Sequence, residues 1–164
     1  MADDAKSLRE RLPYRDCAGI ALFNGQGKVF IGRRKAGEDP EKSPELGAAW
    51  QMPQGGIDSG EQPIEAARRE LFEETSITSI ELVAEAPAWI TYDLPDHLLG
   101  AALRGKYRGQ RQRWFAFRFT GAEAEIDVLA PGGGKFRPEF VAWRWESLKY
   151  AGTVTIASVT FSPR

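Results

Sequence analysis

The chain has 164 residues, enough for one domain with a substantial core. Its 22 basic and 23 acidic side chains leave a net charge of −1, which excludes wholesale coating of nucleic acid while allowing a local basic patch. One cysteine excludes an intramolecular disulfide, one histidine leaves serine-protease-like triads and histidine-rich zinc sites poorly supplied, and no apolar run nears the ~20 residues of a membrane span.

Residues 1–13, MADDAKSLRERLP, are polar and lack the apolar core of a signal sequence. They are expected to form a flexible lead-in to a single domain over 14–164, and a cytoplasmic location fits. Ala18 to Phe23 has the length and apolarity of a buried strand. Asn24-Gly25-Gln26-Gly27 then turns the chain into a second strand from Lys28 to Gly32, closing a hairpin. Cys17, just before the apolar run, reads as a small buried hydrophobe. Arg15 and Arg34 bring cations to the ends of this hairpin. Residues 35–48 are rich in Pro, Gly and charge and are expected as a loop. Trp50 to Gln54 leads into Gly55-Gly56, where a missing Cβ allows close approach to a ligand and makes a backbone carbonyl a candidate metal ligand.

From Pro63, well suited to a first helical position, the pattern has a period of 3.6. Ile64, Ala67 and Leu71 share one arc, with Phe72 at its edge, while Glu70, Glu73 and Glu74 share another. Like charges at this spacing repel by about 0.2–0.5 kcal/mol per pair. Arg68 and Arg69 offset part of that, and a hard divalent cation with oxygen ligands offsets it better. Taken alone, three glutamates describe no more than a solvated acidic face. Ser76 falls where a helix commonly ends in the left-handed region, at a cost of about 1 kcal/mol relative to glycine.

Further on, 80–90 and 112–120 alternate like strands. Between them, 94–109 is a long excursion that ends in Arg104, Lys106 and Arg108, followed by Arg111 and Arg113, with Tyr107 and Trp114 interleaved. Such a mixture suits a polyphosphate and an unstacked base, and equally a solvated basic loop. The run APGGGK at 130–135 lacks P-loop spacing and reads as a flexible turn. Trp143 and Trp145 alternate in a further strand and are expected to pack, and 153–161 alternates like another strand.

The positions Gly55, Glu61, Arg69, Glu70, Leu71, Glu73, Glu74 and Ile77 fall at those of the Nudix signature, with Ser76 replacing its second glycine. The runs WQMPQGGI, AWITYDLP, GQRQRWF and PEFVAWRW resemble, in order, the RNA pyrophosphohydrolase and diadenosine tetraphosphate hydrolase branch of that family. The resemblance implies an α/β fold, an α/β/α sandwich with a mixed sheet and a signature loop-helix-loop. It implies Mg²⁺, with Mn²⁺ or another divalent cation as substitutes, held by Gly55, Glu70, Glu73, Glu74 and Glu139. It assigns catalysis to Glu74, Glu73 and Glu139, with Arg69 orienting the glutamates and Glu61 bracing the loop. It makes Arg15, Arg34, Tyr92, Arg111 and Arg113 candidate substrate contacts. The branch closes on an aromatic wall and a C-terminal helix; no such helix is expected in LKYAGTVTIASVTFSPR, and Phe161 is a candidate for the wall whose spacing and neighbours Ser162 and Pro163 fit poorly.

The expected partner is a nucleotide substrate, an RNA 5′ end or a dinucleoside polyphosphate, without DNA or membrane; oligomeric state is not readable. Three functions compete: pyrophosphate removal from 5′-triphosphorylated RNA, asymmetric hydrolysis of diadenosine tetraphosphate, and a non-catalytic nucleotide- or RNA-binding module.

Overall fold

The computed structural model describes residues 2–35 and 50–149. The expected loop at 35–48, the expected strand at 153–161 and Phe161 lie wholly or almost wholly outside that range.

The architecture is α/β. Among the described residues, eight strands form one mixed sheet with two α-helices. Its spine is β1 (Tyr14–Phe23) lying parallel to β7 (Gly109–Phe119), paired from Tyr14↔Gly109 to Phe23↔Arg118. Every other pairing is antiparallel. β1 also pairs with β2 (Val29–Arg34) and with β4 (Gln54–Gly56), β2 pairs with β3 (Trp50–Gln51) and β8 (Phe140–Glu146), and β7 pairs with β5 (Ile80–Glu85) and β6 (Ile90–Asp93). The turn after β1 is pinned by Asn24, whose Oδ1 accepts from the N–H groups of Gln26 and Lys28, both at 3.0 Å.

Alternation along the spine gives the sheet two different faces. Ala18, Ile20 and Leu22 of β1 and Phe115 and Phe117 of β7 point to one face, where they pack on Ala66, Ala67 and Leu71 of helix α2 (Pro63–Thr75). Two alanines at the contact let helix and sheet approach closely. Trp143 and Trp145 close the same core, stacking on or edging against Phe30. On the other face Gly19 is required: a Cβ there would fall 2.5 Å from the Trp114 indole, which lies across the sheet and is buried.

Two expectations are corrected. Residues 1–13 are not a frayed lead-in, because Ala2–Arg11 forms helix α1. Asp3 and Asp4 in its first turn and Arg9 and Arg11 in its last complement the helix dipole. Arg9 then ties the helix down, donating to Leu94 O at 2.8 Å and Asp96 Oδ1 at 2.6 Å. The single strand expected over 80–90 is two strands, β5 and β6, interrupted at Pro87, which cannot donate to a ladder.

Ser76 ends α2 in the left-handed region, with φ 66° and its N–H on Phe72 O at 2.8 Å. The expected strain is real, but its hydroxyl is employed. It donates to Asp127 O at 3.1 Å and accepts from Gly132 N–H at 2.9 Å, so the helix end is stitched to the glycine-rich turn. Phe136, beyond that turn, packs edge-on against Phe72 of the helix. The segment expected to be a flexible lead is therefore fastened at two points just before Glu139. Glycine at position 76 relieves strain and loses both hydroxyl bonds, whereas alanine keeps the strain and loses them too. Ser76→Ala is expected to lower Tm by roughly 3–6 °C and Ser76→Gly to change it by less than about 2 °C, measured by calorimetry.

Candidate active site

Gly55 and Gly56 end β4 and turn the chain out of the sheet toward α2. A Cβ on Gly55 would overlap the Glu70 carboxyl, so only glycine lets that side chain lie on the backbone here. A Cβ on Gly56 would sit 2.5 Å from Arg15 Nη2, so Arg15 reaches the same loop from β1. The loop is closed locally: Asp58 N–H donates to Glu61 Oε1 and Glu61 N–H to Asp58 O, both at 3.0 Å.

Arg69 joins the loop to the helix. Its Nε and Nη2 grip Glu61 side-on, each at 2.9 Å. Nη2 also donates to Gly56 O at 2.8 Å, and Nη1 donates to Glu70 Oε1 at 2.8 Å and Glu73 Oε2 at 3.4 Å. The bidentate bond holds the Glu61 carboxyl down at about 2 and raises the Arg69 pKa further. One guanidinium thus orients Glu70 and Glu73 of the helix and braces the loop.

The glutamates are less exposed than an acidic surface face would be. Desolvation pushes Glu70 up to about 7, against the pull of Arg69, with Glu73 and Glu139 adding to the rise. Glu74 is 2% exposed, which corrects the reading of three outward carboxylates. Both of its carboxylate oxygens are buried and neither receives a hydrogen bond. Burial raises its pKa well above the usual range, and the neighbouring Glu139 raises it further, while Arg34 opposes the rise. Glu139, exposed just ahead of β8, is thus brought against Glu74 from a distant part of the chain.

Among the described residues no three acidic, histidine or cysteine side chains close on one point. Glu70 and Glu73 turn to Arg69, and Glu74 faces Glu139. The donor set still fits a hard cation. It is all carboxylate and carbonyl oxygen, and Glu74 presents two buried oxygens with no donor, an arrangement that needs a proton or a cation.

The remaining candidates divide. Arg34 lies near Glu74, Arg15 near Gly56, and Tyr92 in register with Gln110 on β7. Although Tyr92 is 43% exposed, its phenol lies in desolvated surroundings beside Cys17 and is pushed up to about 12. Cys17 is buried, as expected, and its thiol is raised to about 11 by the same desolvation. Arg111 and Arg113 do not join this group. Arg111 makes a two-point pair with Asp16, at 2.9 and 2.8 Å, and Arg113 pairs with Glu85 at 2.6 Å. Both guanidiniums cap Trp89, with centroid distances of 4.4 and 5.9 Å. The residues not singled out in advance are Gln54, Gln110 and Gln112. They are hydrogen-bonded to one another on the sheet face that carries Arg15 and Tyr92, and their only signal lay inside the runs WQMPQGGI and GQRQRWF.

The NUDIX domain matches residues 13–161. A protein from Bradyrhizobium sp. (strain ORS 278) named RNA pyrophosphohydrolase is 54% identical over 147 residues, covering 90% of this chain and 86% of that protein. One of the same name from Rhizobium meliloti (strain 1021) is 58% identical over 141 residues, covering 85% of this chain and 82% of that protein. The Escherichia coli dihydroneopterin triphosphate pyrophosphohydrolase structure superimposes with a TM-score of 0.61 at 20% identity, covering 88% of this chain and 89% of that one, a likeness of fold alone. The signature spacing, the Arg69-centred loop and helix, and a match over nearly the whole length agree: the chain belongs to the NUDIX domain family.

Proposed function

We propose that this chain is a cytoplasmic, Mg²⁺-dependent RNA pyrophosphohydrolase that removes pyrophosphate from 5′-triphosphorylated RNA. The observation that carries the hydrolase reading is Glu74, a buried carboxylate with two unpartnered oxygens set against Glu139 and flanked by Glu70. The RNA substrate is supported by the name and degree of identity of the two relatives. Members of this family generally use divalent cations, and no helix among the described residues is long and apolar enough to cross a membrane.

In this reading Glu70, Glu73, Glu74, Glu139 and the Gly55 carbonyl hold Mg²⁺, for which Mn²⁺ can substitute. When bound, the cation acidifies a water and neutralises charge on the bridging phosphates. A carboxylate among Glu73, Glu74 and Glu139 takes the water's proton. Water adds across the anhydride between the α- and β-phosphates, giving pyrophosphate and a 5′-monophosphorylated RNA. Arg69 keeps Glu70 and Glu73 in place through the reaction by anchoring them to the Glu61 loop. Arg15, Arg34 and Tyr92 contact the substrate. Arg111 and Arg113 are given no such role, because Asp16 and Glu85 already engage them.

Substrate choice is tested by presenting triphosphorylated RNA and diadenosine tetraphosphate in parallel with saturating Mg²⁺. Pyrophosphate release from RNA at the higher kcat/KM is expected; preferential ATP formation from the dinucleotide would assign the other activity of the branch. Binding without turnover in Mg²⁺ or Mn²⁺ would make the chain a binding module. Chelation by EDTA is expected to abolish hydrolysis and to lower Tm, since a ligand held only by the folded state stabilises it.

Glu74→Gln separates chemistry from folding. Hydrolysis is expected to fall by about 10²-fold or more. The metal-free protein should become more stable, because a raised carboxyl pKa means that the ionised form opposes folding at pH 7. Replacing the carboxyl with a neutral amide of the same shape removes that penalty and is expected to raise Tm by roughly 2–4 °C. Wild-type turnover in Glu74→Gln would sink the assignment.

A further inference from the structure

The sheet face opposite α2 carries a hydrogen-bonded chain whose direction is fixed by chemistry. The indole N–H of Trp114 can only donate, and it donates to Gln112 Oε1 at 3.1 Å. Gln112 must therefore point its amide nitrogen the other way. That nitrogen donates to Gln54 Oε1 at 2.9 Å and to Gln110 Oε1 at 3.0 Å. Both oxygens are thereby engaged as acceptors, which leaves the –NH₂ group as the free donor end of each side chain. Amide orientation usually has to be chosen between two fittings; here one donor-only group decides three amides in sequence.

The chain cannot turn over easily. Trp114 is 1% exposed and Gln112 2% exposed, and the indole is held flat over Gly19, where no Cβ is tolerated. Reversing Gln112 would set its amide nitrogen against the indole N–H and its oxygen against two carbonyl oxygens, leaving buried groups unpaired.

Its outward ends lie at the site. Gln54 is half-buried and immediately precedes Gly55, the glycine on which Glu70 rests. Gln110 stands in register between Arg15 on β1 and Tyr92 on β6. This face therefore brings together two amide –NH₂ groups, a guanidinium and a phenol. That composition suits a group made of acceptors, and the cation of Arg15 favours an anionic one.

We propose that Gln54 is a substrate-binding residue, held donor-outward by Gln112 and Trp114 as positioning residues, and that it binds a phosphate of the substrate's polyphosphate chain. The identity of that chain rests on the hydrolase reading above; the donor polarity does not.

The test uses inorganic tripolyphosphate as the probe, by titration calorimetry, alongside kcat and KM on triphosphorylated RNA. Gln54→Met removes the donor. Gln112→Met frees Gln54 to reverse. Trp114→Phe removes the orienting N–H together with part of the buried ring, so its folding is checked by Tm; folded, it carries the positioning test if Gln112→Met does not fold. Each is expected to weaken tripolyphosphate by about three- to tenfold and to raise KM by the same factor, with kcat within about twofold of wild type. Combining Gln54→Met with Trp114→Phe should add little to Gln54→Met alone, because the indole acts through Gln54. A folded Trp114→Phe protein with unchanged tripolyphosphate affinity would overturn the positioning role. Unchanged tripolyphosphate affinity in Gln54→Met would overturn the phosphate assignment. If tripolyphosphate weakens as expected while RNA is not hydrolysed, this inference stands and the hydrolase reading fails.

Discussion

The site depends on the Arg69 guanidinium. Glu61, Glu70 and Glu73 would repel one another as bare carboxylates on a short loop and one helical arc. Arg69 reaches Glu61, Glu70, Glu73 and the Gly56 carbonyl. It bridges a repulsive cluster and offsets part of its charge, and none of its bonds reaches Glu74. The planar fork matters here, because a lysine ammonium cannot hold a carboxylate at two points while also spanning to a carbonyl and a second carboxylate. The loop and the helix are therefore set relative to each other by directional bonds, and Gly55 is left free to lie under the Glu70 carboxyl.

The second constraint is the parallel register of β1 and β7. One register assigns every residue of both strands to a face, since a slip by one residue would exchange the faces. It puts Ile20, Leu22, Phe115 and Phe117 under α2 and puts Arg15, Cys17, Gly19, Gln110, Gln112 and Trp114 on the opposite side. The acidic chemistry and the donor-lined face are two consequences of one pairing. Gly55-Gly56 at the end of β4 is where they meet, with Glu70 resting on the first glycine and Arg15 on the second.

The helix was legible because its signal is periodic and its glutamates sit at fixed spacings. The hairpin was legible from its turn residues and the run after Cys17. Helix α1 was not: it is short and charged, and what holds it is a bond from Arg9 to Leu94 O, across a separation of 85 residues. The burial of Glu74 was also hidden. Helical geometry groups it with Glu70 and Glu73, but its surroundings come from Arg34 on β2 and from the segment bearing Glu139. The glutamine chain was hidden for a related reason. Glutamine in a strand carries no hydrophobic period, and the direction of its amide appears only when a donor such as the Trp114 indole is placed beside it. Ser76 shows the opposite failure. Its backbone strain was readable from local rules, whereas the two bonds of its hydroxyl belong to a turn more than fifty residues away.

These features place an energetic cost and the restraint that maintains it at neighbouring atoms. A carboxylate buried without a donor opposes folding, and the nearby Glu139 increases that opposition. The fold tolerates it because the surroundings are over-determined. Leu71 and Thr75, on either side of Glu74 along the helix, are fully buried, and Thr75 Oγ1 donates back to Leu71 O at 2.6 Å. Ser76 then fixes the helix end to the turn that leads toward Glu139. Relaxing either restraint would let the two carboxylates separate and hydrate, lowering their charge cost. A rigid frame is therefore what keeps a destabilising pair of acids together, and Ser76, strained in the left-handed region and bonded at its hydroxyl, belongs to that frame.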